Sequence, residues 1–246
     1  MRIVYVITRA DDIGGAQIHV RDLSYSLLRR GHEVSVIGGG SGAYSDELER
    51  LGVPFHSVKD LVRPLDLRRD PRALMHIRLL LGKLKPDIVS THSSKAGLLG
   101  RLAATSLRIP VIFTAHGWAF TDGVSPRSAR LYCLLERLAA RFCGRIITVS
   151  DYDRGLALRR RIAPPGKLAM VHNGVPDLSR DFMCNPMDQP PRLVMVAGFR
   201  KQKDHQTLIR ALSELRRYPW TMDLIGDEPD SSSESSQACL IEMVAF

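Results

Sequence analysis

RIVYVITRADDIGGAQIHVRDLSYSLLRRGHEVSVIG, residues 2–38, is the stretch that decides the fold. RIVYVIT is a short run rich in β-branched and aromatic residues, and its lack of polar alternation is how a strand buried on both faces reads. Beyond it Ala16, Val20, Leu23 and Leu27 recur on one helical face, Gly31 stops the helix, and EVSVIG begins another strand. Strand, helix and strand in sequence make a βαβ unit, whose two strands run parallel.

The same grammar repeats outward from this unit. Further strands are expected at VPFHSV, DIVST, PVIFTA, RIITVS and KLAMVHN, with helices over 70–84, 94–107, 126–143 and 151–161. Such alternation predicts an α/β fold, a parallel sheet with helices on both faces and ligands outside the carboxyl ends of its strands. Between Asn173 and Pro191 the pattern lapses, with four prolines and no sustained period, which reads as a linker. From Arg192 the grammar restarts as a strand, a basic loop, an amphipathic helix and the strand WTMDLIGD. The expected division is a complete Rossmann-like domain over 1–175, a linker over 176–191, the first β-α-β of a second such domain over 192–227, and an atypical mobile tail over 228–246. The tail follows from the Ser-rich, acidic composition of DSSSESSQ.

Composition narrows the function classes. With 246 residues and 44% hydrophobic content, the chain can bury one sizeable core and part of another, which excludes a disordered or collagen-like polypeptide. No apolar run is long enough to span a membrane, and the amino terminus is too short and too lightly charged for a secretory signal, so a cytoplasmic location is expected. Cys133, Cys143, Cys184 and Cys239 show neither C-x-x-C pairing nor a His at ligand spacing, and are expected as reduced thiols. The net charge of +9 conceals an asymmetry, because residues 227–246 hold five acids and no Lys or Arg, leaving +14 on the residues before them. Such a field favours anionic partners.

The loops after the strands carry the candidate chemistry. Gly14-Gly15 opens the first helix and presents bare backbone N–H groups and a positive helix end, suited to an anion or a sugar hydroxyl, or else to a tight strand-to-helix turn alone. The later run Gly38–Gly42 lacks the Lys of a phosphate loop and is expected as a flexible loop. After PVIFTA comes His116 with Gly117 behind it, a placement where an imidazole can face a cleft and donate to a sugar hydroxyl or carry a proton near neutral pH, or else is a structural histidine. Among the eight histidines, His32, His56, His76 and His205 read as surface or boundary residues. The apolar positions Leu131, Leu134, Leu135, Leu138 and Phe142 are expected to pack their helix on the sheet, as are Leu208, Leu212 and Leu215.

Seven segments, IGGAQIHVRDL, THSSKAGLLGRLAA, VIFTAHGWAF, LERLAARFCGRIITVSDYD, VHNGV, GFRKQKDHQTLIRAL and LIGD, occur in an order and spacing that resembles the bacterial glycosyltransferases of family four, over residues 1 to about 227. The resemblance implies a GT-B fold, in which a first Rossmann-like domain binds the acceptor and a second binds a nucleotide-sugar donor. It implies transfer with retention of anomeric configuration, no metal and no other cofactor. By position it implies that Gly14 and Gly15 approach the donor phosphate and acceptor, that His116 contacts the donor sugar at the reacting centre, and that Asn173 and Gly174 form the N-G element at the domain junction. Lys203 matches the lysine that grips the donor diphosphate. The family's arginine at Gly198 is missing, and Arg200 two positions on is the substitute candidate.

The family also places two glutamates, with seven residues between them, well beyond the L-I-G-D strand. Glu234 and Glu242 have that spacing but follow the strand almost at once, and the match is read as chance. The expected function is therefore sugar transfer from a nucleotide-sugar to a carbohydrate or lipid-linked acceptor. The alternative is a catalytically inactive truncated fragment that at most binds carbohydrate or an anionic surface. The basic stretch Val62–Lys85 reads as a solvated helix face or as a peripheral contact with an anionic membrane on the inner side of the cell. No aromatic stacking motif or recognition helix supports a nucleic-acid partner.

Overall fold

In a computed structural model the described residues are 1–11, 13–121, 124–175, 177, 179, 185, 187–199, 203–226 and the backbone of 239–245. The chain divides into one unit over Met1–Val175 and another over Pro176–Phe246.

The first unit is built on the alternation seen in the sequence. Its elements run β1 (Arg2–Ile7), α1 (Gly15–Arg29), β2 (Glu33–Gly38), α2 (Ala43–Arg50), β3 (Phe55–Ser57), α3 (Arg69–Leu84), β4 (Ile88–His92), α4 (Ser94–Ser106), β5 (Val111–Ala115), α5 (Pro126–Ala139), β6 (Arg145–Thr148), α6 (Asp151–Arg159) and β7 (Leu168–Met170). All seven strands pair in parallel in the order β3-β2-β1-β4-β5-β6-β7. The direction of winding reverses between β1 and β4, which creates the crevice where such sheets bind ligands.

Burial follows the pleat. Ile3, Tyr5 and Ile7 of β1 join Val20 of α1 and Tyr44 and Leu48 of α2 on one face, while Val4 and Val6 join Ala73, Ile77 and Leu81 of α3 on the other. Helix α4 is buried along most of its length. It can lie so close to the sheet because Gly97 and Gly100 have no side chain; a Cβ there would stand 2.6 Å from the Phe113 ring and 2.7 Å from the Thr91 methyl.

The structure departs from the sequence reading in both units. Gly38–Gly42 is not a flexible loop: Gly39 exchanges backbone hydrogen bonds with Thr8 and Ala10, and a Cβ on it would fall 1.8 Å from the Leu61 carbonyl oxygen. That run leads straight into α2, a helix too short and polar to show a period. In α5 the residues facing inward are Ala129, Cys133, Glu136 and Ala139, whereas Leu131, Leu134 and Leu138 are exposed. The buried ion pair of Glu136 with Arg101 of α4, at 2.9 Å, fixes the helix rotation and turns the leucines out. Cys133 and Cys143 are buried free thiols.

The second unit comprises β8 (Arg192–Val196), α7 (His205–Glu214), β9 (Trp220–Gly226) and β10 (Cys239–Ala245). β8 and β9 pair in parallel across the α7 crossover, as the restarted βαβ grammar requires. The segment expected as a mobile tail instead supplies β10, antiparallel to β9, because CLIEMVA is a β-rich apolar run that satisfies the backbone groups of that strand edge. Leu212 packs with Trp220, Met222 and Leu224, while Leu215 is exposed.

Candidate functional site

At the carboxyl ends of β1, β4 and β5 the first unit assembles a polar cluster from residues far apart in the chain. β4 ends in His92, wholly buried, and β5 is followed at once by His116. The His92 Nδ1 lies 2.9 Å from His116 Nε2, and the His92 Nε2 lies 3.0 Å from Ser90 Oγ. His19, one turn into α1, completes the group, its ring centred 4.9 Å from that of His116 and 5.6 Å from that of His92.

Each imidazole is placed by its own element. The Gly117 backbone, at φ 132, turns the chain in a region side chains disfavour. Trp118 and Phe120 then stack at 5.1 Å inside the core, and Trp118 Nε1 donates to the Asp153 carbonyl oxygen at 2.9 Å. Those anchors fix the loop that carries His116. On the neighbouring strand, Thr8 Oγ1 accepts from the Ala96 backbone N–H at 3.2 Å and lies 2.6 Å from Ser93 Oγ, tying the end of β1 to the start of α4. Ser93 itself sits at φ 65, a strained conformation for a residue with a side chain, next to the cluster.

Gly14 and Gly15 open α1, so His19 stands one turn above Gly15 and the glycines belong to the same site. Among the described residues no side chain caps this helix start and no acid lies in its first turn, which leaves its positive end available to a ligand. Among the described residues, and apart from the helix's own backbone and the flanking residues, nothing lies within 4 Å of the position a Gly15 Cβ would take, and that open space suits a ligand.

Burial sets the electrostatics. It drives the His116 pKa from its ordinary value down to about 4, with the neighbouring His19 adding to the fall. His92 is pushed well below its ordinary value by burial, with His116 and His19 contributing, and His19 is lowered by burial. All three are uncharged near neutral pH. The cluster therefore offers hydrogen-bond donors and acceptors and imidazole lone pairs, not cations.

Of the residues expected at the site, Gly14, Gly15 and His116 meet here. Asn173 and Gly174 lie on an exposed segment after β7, and Lys203 is exposed just ahead of α7 in the second unit. Arg200 and Glu234 fall outside the described residues, as does the side chain of Glu242. Sequence reasoning missed His19 and His92. The signal available was their placement, one at the mouth of the first helix and one at the end of a buried strand.

Residues 14–174 match the family model described as a glycosyl transferase 4-like domain. The chain is 36% identical over 145 residues to the UDP-Gal:alpha-D-GlcNAc-diphosphoundecaprenol alpha-1,3-galactosyltransferase of Escherichia coli, a match over 58% of this chain and 37% of that protein. Among solved structures, Anabaena HepE in complex with UDP and glucose superposes with a TM-score of 0.68 at 18% identity, covering 93% of this chain and 61% of that one. A glycosyltransferase from Rickettsia africae gives a TM-score of 0.69 at 18% identity, covering 92% and 60%. These neighbours have the GT-B fold, and the chain spans less than two thirds of the length of each of these three proteins.

Proposed function

Because the chain belongs to the glycosyl transferase 4-like family, we propose that it takes part in sugar transfer from a nucleotide-sugar donor to a lipid-linked acceptor, with the histidine cluster of the first unit lining the reacting centre. The observation that carries this reading is the convergence of His116, His92 and the uncapped start of α1 at the switch point of a parallel sheet. An uncharged His116 hydrogen-bonds a sugar hydroxyl without adding positive charge at the reacting carbon. Lys203 meets the diphosphate, whose negative charge grows as the glycosidic bond breaks. Retention of configuration and transfer without a metal accompany the reading, and Asn173 and Gly174 are the family's N-G element at the domain junction.

An acceptor carried on a lipid accords with the surface around α3. Leu65 and Leu67 stand 67% and 95% exposed, Met75 and Leu79 are exposed on the helix, and Arg63, Arg68 and Arg72 lie among them. Apolar side chains ringed by arginines suit peripheral contact with an anionic bilayer. Among the described residues no helix is long and apolar enough to cross a membrane.

The test is UDP release by the full chain given UDP-galactose and an N-acetylglucosaminyl-diphosphoundecaprenol acceptor. The reading expects acceptor-dependent release that His116→Ala reduces by about 10²-fold or more, the lower range for a positioned polar group at a reacting centre. Saturable acceptor binding with no release from any UDP-sugar would replace it with a silent, acceptor-binding protein.

A further inference from the structure

The three imidazoles carry a second capability that does not depend on sugar transfer. Their ligand atoms, one nitrogen from each of His19, His92 and His116, all lie within 4.8 Å of one another. Nitrogens bound about 2.0–2.1 Å from a tetrahedral zinc stand ~3.3 Å apart. The 2.9 Å separation of His92 Nδ1 and His116 Nε2 is already close to that spacing. His19 is only half-buried and sits on the first turns of a helix, so a change of side-chain rotamer closes the remaining gap.

We propose that His19, His92 and His116 form a binding site for a divalent transition-metal ion, Zn²⁺ in the first instance, with a fourth position left open to solvent. The far side of His92 supports the assignment. Its Nε2 lies 3.0 Å from Ser90 Oγ, so in the ligating tautomer Nε2–H donates to that hydroxyl, the outer hydrogen bond that aims the Nδ1 lone pair at the ion. In the metal-free protein that lone pair accepts from His116 Nε2–H. On binding, the His116 proton moves to Nδ1 and frees Nε2, so the charge of the protein is unchanged.

The donor set selects the ion. Three neutral imidazoles with no carboxylate among them favour zinc, cobalt, nickel and copper over magnesium, calcium or manganese, which need carboxylate or carbonyl oxygens. Since His116 Nε2 would be a ligand, an ion held here and a sugar bound to the same nitrogen exclude each other. The metal is an inhibitory occupant and not a participant in transfer.

Titration of the full chain with Co²⁺, without any sugar or nucleotide, tests the site apart from the transfer reading. One equivalent should give the visible d–d absorption of four-coordinate cobalt, and added Zn²⁺ should bleach it. His19→Ala, with its fold verified by circular dichroism, should abolish the band. Ser90→Ala, which leaves all three ligands in place, should weaken binding by about 10–100-fold. A cobalt spectrum that is absent, or that is the same in His19→Ala as in the unaltered chain, overturns the proposal.

Discussion

Arg101 and Arg192 each pair with a carboxylate, but one guanidinium is wholly buried beside Glu136 and the other is 77% exposed beside Asp223. The contrast holds for the two units that contain them. In the first, helices cover both faces of a seven-stranded sheet, and even a charged pair is enclosed, with the Arg101 guanidinium 4.1 Å from the centre of the Phe113 ring. In the second, α7 covers one face over Leu212, Trp220, Met222 and Leu224, and Val194 and Val196 of β8 remain exposed. Among the described residues, a face that leaves those valines exposed contributes less of the apolar burial that opposes the entropy of ordering the backbone. The first unit is therefore a rigid frame able to hold imidazoles in place, and the second opens more readily.

Hydrogen exchange should show the largest effect. Amides of Val6, Val89, Phe113 and Ile146 should exchange roughly a hundredfold or more slowly than those of Met195 and Leu224, since local opening follows the thinner core. Equal protection in the two units would break the comparison. Next in size, Glu136→Ala strands the Arg101 guanidinium in the core and should cost about 3–5 kcal/mol in chemical denaturation. Asp223→Ala, which removes the partner of an exposed arginine, should cost under about 1 kcal/mol.

Smaller effects sharpen the picture within the first unit. Gly97→Ala drives a methyl into the Phe113 ring and should destabilise by about 1–3 kcal/mol. Gly15→Ala meets nothing within 4 Å and should change stability by less than about 0.5 kcal/mol while reducing transfer, which separates a packing glycine from a ligand-facing one. Acidification gives a graded loss. The unfolded chain takes up protons at ordinary histidine pKa values that the folded cluster refuses, so the contribution of the cluster is complete above about pH 6.5 and declines as pH falls toward 4. A thermal midpoint that does not decline in that window would contradict the enclosure of these imidazoles.

Much of the frame was legible because burial on both faces leaves a simple mark, an apolar run with no alternation, and β1 and β5 each carry it. α2 was not, since Tyr44 and Leu48 alone cannot set a period. The rotation of α5 was misread because a leucine stripe is the stronger pattern in sequence, while the force that orients the helix is a partner 35 residues away. His116 could be found from its position after a buried strand with glycine behind it. His92, 24 residues earlier, and His19 at the mouth of α1 enter the site only through sheet order. Strand order places β4 between β1 and β5, and no local pattern encodes that neighbour relation.

The claim on which the rest turns is that these imidazoles form one enclosed cluster at the strand ends. Long-range proton–nitrogen NMR of the ¹⁵N-histidine-labelled chain through a pH titration addresses it directly. His116 should remain neutral at pH 5.5 and titrate only near about 4, and His92, pushed well below its ordinary value by burial, should stay neutral with it and in the complementary tautomer. Independent titration of His92 and His116 near 6.5 would show that the rings stand apart in water and that no such site exists.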